Sequence, residues 1–169
     1  VKDADEKVKD AAIRAMAEWP DATAAPDLLD LAKSAASETH QVLALRGYIR
    51  VCRIESSRPA AETAKMLIAG LAAAKRPDEK KQAISGLAEA RDISALGAVA
   101  PCMDDAALKE EAANAAVRLG RDLWNRNAEA VKAAMLKVLE VSKNDGLKKQ
   151  AQETLGHAEQ RLKETAPKK

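Results

Sequence analysis

Aromatic residues are almost missing from this chain, which contains two Trp, one Tyr and no Phe. Aromatic and β-branched side chains favour strands, and here only nine Val and six Ile accompany them. Alanine, the best helix former, occurs 38 times, and leucine occurs 17 times. Alanine is also small enough to let helices approach one another closely. The composition therefore argues against a β-rich domain and predicts an all-α protein with thin, alanine-lined helix interfaces.

Three further scarcities argue against whole classes of function. Two Cys and two His are too few for a disulfide framework or a structural zinc site. No apolar run approaches the roughly 18 residues that a membrane span needs, so we expect no membrane insertion. The 28 basic and 26 acidic residues nearly balance, whereas a nucleic-acid-binding domain usually has a clear basic surplus. A nucleic-acid partner is therefore disfavoured, although a local basic patch stays possible.

The length of 169 residues suits one domain and is enough to bury a core. No signal-peptide pattern opens the chain, and we expect a soluble protein whose compartment the sequence does not specify. The first residue is Val1 rather than Met. This start is compatible with an excised domain of a larger protein or with a processed product.

Apolar residues repeat at helical spacing, and the pattern restarts several times along the chain. The first helix is predicted to have its apolar face at Val8, Ala12, Ala15, Met16 and Trp19. Pro26 and Pro77 are expected to begin helices, where a missing N–H group costs nothing. Asp92 and Asn127 are expected to cap later helices, and Asp104-Asp105 to start the fourth helix pair. The chain thus divides into short helices joined by tight turns.

The first helices of successive pairs resemble one another. Their small-residue anchors begin at positions 12, 44, 83, 112 and 151, with a mean spacing of about 35 residues, within the range of helical solenoids. The predicted pairs span residues 3–36, 38–74, 77–103 and 105–142, and a final helix spans 145–163. We expect these to form one domain over residues 1–164, followed by a frayed tail over 165–169.

The segment from Ala83 to Asp92, followed by Ile93 to Met103, combines an Ala-rich helix, a short turn containing Asp and a second apolar helix. It resembles HEAT repeats, in particular the bacterial HEAT-like repeats named after phycobilisome lyases. The resemblance implies a right-handed α-α superhelix, a HEAT/armadillo-like solenoid of about four and a half antiparallel helix pairs. Two alternatives stay open. One is a tetratricopeptide array, whose characteristic Trp, Leu-Gly and Tyr pattern is missing, and the other is a compact up-and-down bundle.

The resemblance also implies that the second helix of each pair lines a concave groove. The polar positions of these helices are then the candidate contact surface: Asp27, Asp30, Lys33, Glu62, Lys65, Ser94, Glu129, Lys132 and Lys137. Their mixed charge suits a protein or peptide partner better than a polyanion. The alternative is a solvated surface that only keeps the protein in solution.

A possible basic patch lies on one first helix, where Arg46, Arg50 and Arg53 follow helical spacing and Arg58 comes shortly after. Such guanidinium groups can bind an acidic peptide or a phosphate. The alternative is a solvated face near which Glu55 and Glu62 supply counter-charge. The resemblance weakens the binding hypothesis, because first helices usually lie on the convex side.

The remaining distinctive side chains are expected to be structural. Trp19 and Trp124 each close an apolar stripe at a helix end, and Tyr48 aligns with core positions. Cys52 and Cys102 are far apart in apolar helices, where unreactive thiols are common. We therefore expect no catalytic, metal-binding or cofactor-binding residue.

The sequence favours a non-enzymatic, monomeric scaffold that binds another protein through the concave face. One alternative is a structural spacer within a larger protein. Another is an enzyme of the kinds that HEAT-like folds also support, a DNA glycosylase or a bilin lyase. A glycosylase would need a basic, aromatic concave face, which the two Trp and one Tyr do not assemble.

Overall fold

The computed structural model describes residues 5–166, and within them it contains nine α-helices and no strand. The first five are α1 (Glu6–Ala17), α2 (Ala25–Ser34), α3 (Glu38–Arg53), α4 (Ala60–Ala73) and α5 (Pro77–Leu87). The others are α6 (Ile93–Val99), α7 (Lys109–Leu123), α8 (Ala128–Val141) and α9 (Asp145–Thr165). Short 3-10 helices span Ala22–Ala24 and Ala100–Asp104. The predicted all-α class is confirmed, while residues 1–4 and most of the predicted tail lie outside the described residues.

Proline and short polar side chains mark several helix starts where the sequence predicts them. Pro26 lies in the first turn of α2, and Pro77 is the first residue of α5. The Asp92 carboxylate accepts the backbone N–H of Ser94 at 2.9 Å and so caps α6. Asn127 precedes α8, but its side chain makes no capping hydrogen bond.

The start of the fourth pair differs from the prediction. Asp104-Asp105 does not begin a helix, because the 3-10 helix after α6 ends at Asp104. Asp105 instead accepts the backbone N–H of Ala107 at 2.8 Å and stabilises a turn. Helix α7 begins at Lys109.

The helices form two rows. Helices α1, α3, α5, α7 and α9 contact one another in chain order. Helix α2 contacts α4, α4 contacts α6, and α8 contacts the 3-10 helix that extends α6. The core lies between the rows, where first helices contribute Ile13, Ile84 and Leu119 and second helices contribute Leu67 and Met135, all nearly inaccessible to solvent.

The predicted apolar face of α1 is right only in part: Ala12 and Met16 are half-buried, and Met16 packs against the core. Val8 is 47% exposed and Ala15 is also exposed, whereas Ile13, outside the predicted stripe, is the only described residue of α1 that is fully buried. Helix α1 lies at one end of the first row, and among the described residues it packs mainly against α3. Because α1 packs against few helices, it buries only a narrow face, centred on Ile13. The spacing of small apolar residues in the sequence does not predict where this face lies.

Close approach of backbones replaces large side chains at the interface of α1 and α3. A Cβ atom added to Gly47 would lie 2.5 Å from Ala17 Cβ and 2.7 Å from Ala17 Cα. The two clashing atoms belong to the short side chain and backbone of Ala17 rather than to the end of a flexible side chain, so a methyl group could enter only if the helices moved apart. A Cβ atom added to Gly156 in α9 would meet none of the neighbouring atoms of the described residues within 4 Å.

We expect Gly47→Ala to lower the unfolding free energy by roughly 1–3 kcal/mol, although alanine favours helix more than glycine does. Gly156→Ala is the matched control, and it should raise stability by about 0.5–1 kcal/mol. Urea denaturation followed by circular dichroism measures both. A stabilised Gly47→Ala protein would show that α1 and α3 do not pack as closely as described.

Candidate binding surfaces

The predicted contact residues of the second helices lie mostly on the protein surface. Seven of the nine are exposed, and Lys132 and Lys137 are half-buried. Lys137 Nζ lies 2.7 Å from the Asp104 carboxylate, and Lys132 Nζ lies 3.2 Å from that of Glu159. The charged members with exposed side chains and no described ion pair are Asp27, Asp30, Lys33, Glu62, Lys65 and Glu129.

The same helices also expose small and apolar residues. Leu136 on α8 is 49% exposed, and Ala133 is exposed one turn before it. Ala72 on α4 and Gly97 on α6 are likewise exposed. Such short side chains leave the backbone of these helices accessible to a partner. We call the exposed residues of α2, α4, α6 and α8 the second-helix surface.

The three arginines of the predicted basic patch all have partners within the chain. Arg46 Nη2 lies 2.6 Å from Glu79 Oε1 on α5, and Arg53 Nη2 lies 2.9 Å from Glu89 Oε1 in the turn after α5. Arg50 donates to backbone carbonyls at the end of α1, including that of Ala17 at 2.7 Å. These side chains therefore link α3 to the helices on either side of it, and their binding of a ligand stays a prediction.

Glu79 is the most deeply buried charged side chain described, at 1% exposure. It lies in the first turn of α5, where the helix dipole favours a carboxylate. Arg46 and Arg76 contact its two oxygens, at 2.6 Å and 3.4 Å. Sequence reasoning missed it, because an acidic residue after proline is usually a solvated first-turn residue. The one sequence signal for its burial is that Glu79 lies four residues before Ala83, on the same face of α5 as that predicted core residue.

Two adjoining cavities lie along α3, the turn after α5, and α7. Their volumes are about 670 and 380 Å³, and they share Arg53, Ile54 and Glu89. We call them together the arginine-lined groove, because their walls include Arg46, Arg50, Arg53, Arg58, Arg91, Arg118 and Arg121. The carboxylates on its walls are those of Glu55, Glu89 and Asp122.

The floor of the larger cavity is held in place by Arg58. This half-buried side chain donates to the Cys52 carbonyl at 2.9 Å and to the Thr63 hydroxyl at 3.1 Å. It thereby ties the end of α3 to the start of α4. Burial raises the pKa of the adjacent Cys52 thiol to about 11. The thiol therefore stays protonated at neutral pH and is a poor nucleophile.

The other distinctive side chains divide between core and surface. Tyr48 is buried as predicted, donates its hydroxyl to the Met66 carbonyl at 2.7 Å, and has a pKa raised by burial. Trp124 packs at a helix end as predicted, since its ring stacks on His157 with centroids 5.3 Å apart. Trp19 differs, because 45% of it is exposed beyond the end of α1.

Comparisons with known proteins identify no relative: the chain matches no protein-family model, no curated protein and no solved structure. Among residues 5–166, no group of three or more His, Cys, Asp or Glu side chains is arranged to hold a metal ion. No helix in that range is long and apolar enough to cross a membrane. The family resemblance therefore stays a prediction from the sequence pattern.

Arg46→Ala should lower the unfolding free energy by about 2 kcal/mol, because the buried Glu79 carboxylate would lose its closest charged partner. Arg14→Ala is the matched control. Arg14 pairs with Asp10 on the same exposed helix face, and its loss should have a much smaller effect. Urea denaturation of both variants compares them, and equal losses would show that Glu79 is solvated.

Proposed function

We propose that the chain is a non-enzymatic scaffold that binds another protein through the second-helix surface. In this proposal the helix pairs form a right-handed, HEAT-like superhelix, and the second helices line its concave side. The row formed by α2, α4, α6 and α8 is the observation that carries the proposal. Because each of these helices adds exposed residues to the same row, a partner can contact several repeats at once.

Side-chain bonds between neighbouring pairs support the repeat architecture. The partners in the Arg46–Glu79, Arg50–Ala17 and Lys137–Asp104 bonds are each 33 residues apart. Equal sequence separations at different places in the chain are expected when one structural unit repeats. They match the mean anchor spacing of about 35 residues.

The chemistry of the second-helix surface favours a protein partner. Both carboxylates and ammonium groups occur on it, as at Glu62 and Lys65 on α4. Exposed Leu136 adds an apolar contact on α8. Charge of both signs around small and apolar residues can complement a folded protein or a peptide, and it gives specificity through paired charges.

Small-angle X-ray scattering tests the superhelix. A compact domain of this length would have a radius of gyration of about 15 Å. We expect a clearly larger value and an asymmetric distance distribution, because stacked pairs extend in one direction. A value near that of a compact domain would instead support the up-and-down bundle.

Affinity capture with charge-exchanged baits tests the binding surface. We expect Glu62→Lys combined with Lys65→Glu on α4 to lose proteins that the unchanged chain retains from host lysate after nuclease treatment. The control is Lys149→Glu with Glu153→Lys on α9, which also exchanges two exposed charges without changing the net charge. The control should retain these proteins.

Quantitative mass spectrometry of the three baits distinguishes the possible outcomes. Retention that is equal for all baits would place the partner elsewhere on the chain. Capture that disappears with nuclease would point to nucleic acid, and the absence of any retained protein would favour a structural spacer.

A further inference from the structure

We propose that the arginine-lined groove binds an acidic segment of another protein through closely spaced Asp or Glu carboxylates. Apart from exposed Ala60 at the start of α4, the groove shares no residue with the second-helix surface, and it contains none of the predicted contact residues. The two surfaces can therefore be tested separately, and the failure of one proposal leaves the other standing.

Positive charge is concentrated in the groove. Seven of the eleven arginines line it, together with three carboxylates, and no described lysine does. The whole chain carries a formal charge of only +2, so the residues outside the groove carry a net negative charge. An acidic ligand is thus attracted to this part of the surface and repelled by the rest.

Three guanidinium groups along the groove have donors to spare. Arg121 has no side-chain partner among residues 5–166, and Arg118 approaches Glu89 no closer than 3.9 Å. These two arginines lie three residues apart on α7, so they face the same side of that helix. Arg91 contacts Asp122 at 3.3 Å through Nε and is 77% exposed. Each of the three can donate to a ligand without breaking a close ion pair.

The backbone at Arg91 supports a binding role. Its φ of 50° is the only positive φ at a described non-glycine residue. L-residues rarely adopt this left-handed conformation, which glycine would adopt freely. The short turn between α5 and α6 nevertheless has arginine there, and this places a guanidinium on the groove wall. Strained residues of this kind cluster at functional sites.

The residue types favour peptide carboxylates over a nucleic acid. Arginine presents a planar fork of donors that pairs with a carboxylate through two parallel hydrogen bonds. Glu89 and Asp122 interrupt the cationic surface and would repel a continuous phosphate backbone. The described groove walls also contain no aromatic ring on which bases could stack. A peptide with separate carboxylates can instead place one against each of the three guanidinium groups that have donors to spare.

Fluorescence anisotropy with fluorescein-labelled hexaglutamate tests this proposal. We expect the unchanged chain to bind the peptide in a salt-dependent way and to ignore labelled hexaglutamine. Arg118→Gln with Arg121→Gln should weaken hexaglutamate binding at least roughly tenfold, since two charge-assisted contacts are lost. Both side chains are exposed, so the variant should keep its fold, which circular dichroism verifies.

Two comparison variants make the test specific. Lys149→Gln with Lys163→Gln removes two exposed positive charges from α9, and it should weaken binding less than about twofold. Arg118→Lys with Arg121→Lys keeps the charge but loses the planar fork, and its affinity should be intermediate.

Three results would overturn the proposal. The first is the absence of hexaglutamate binding by the unchanged chain. The second is equal weakening in the α7 and α9 glutamine variants, which would indicate diffuse attraction. The third is tighter binding of a single-stranded oligonucleotide than of hexaglutamate, lost with the same α7 residues, which would assign the groove to nucleic acid.

Discussion

The packing of this protein depends on how closely its helices can approach. With 38 alanines and no phenylalanine, few side chains can fill a wide gap between two helices. Neighbouring helices therefore make van der Waals contact by bringing their backbones close together, as at Gly47 and Ala17. Larger residues such as Leu67, Ile84 and Met135 fill the space between the two rows. The composition and the spacing of the helices are thus two aspects of one constraint.

Helix content and several helix starts could be predicted from the sequence, because they depend on local chemistry. Pro77 and Asp92 act through their own backbone and side-chain geometry, whatever lies nearby. The buried face of α1 and the start of α7 could not be predicted correctly from the sequence, since both depend on how the helices pack. Val8 fits a helical stripe but is about half exposed among residues 5–166, and the chain after Asp104 forms a turn before helix resumes.

The charged residues also show which features depend on local sequence and which depend on packing. The spacing of Arg46, Arg50 and Arg53 places them along one helix, but their partners lie on other elements, 31 to 36 residues away in sequence. Arg118 and Arg121 show an equally clear spacing on α7. Their position beside the turn that contains Arg91 is visible only in the structure. A charge pattern on one helix identifies donors, whereas the arrangement of several helices decides which donors remain free.

The side-chain hydrogen bonds that join neighbouring helix pairs connect residues 31 to 36 positions apart, and this has a consequence for how the chain folds. Arg161 reaches back 36 residues to the Asn125 carbonyl, a separation close to that of Arg50 and Ala17 near the other end. Every such contact closes a loop of similar, moderate length, so no step requires the two termini to meet. If the helix pairs form the proposed superhelix, folding can begin at any well-packed pair and spread in both directions, and a terminal pair can open while the middle stays closed.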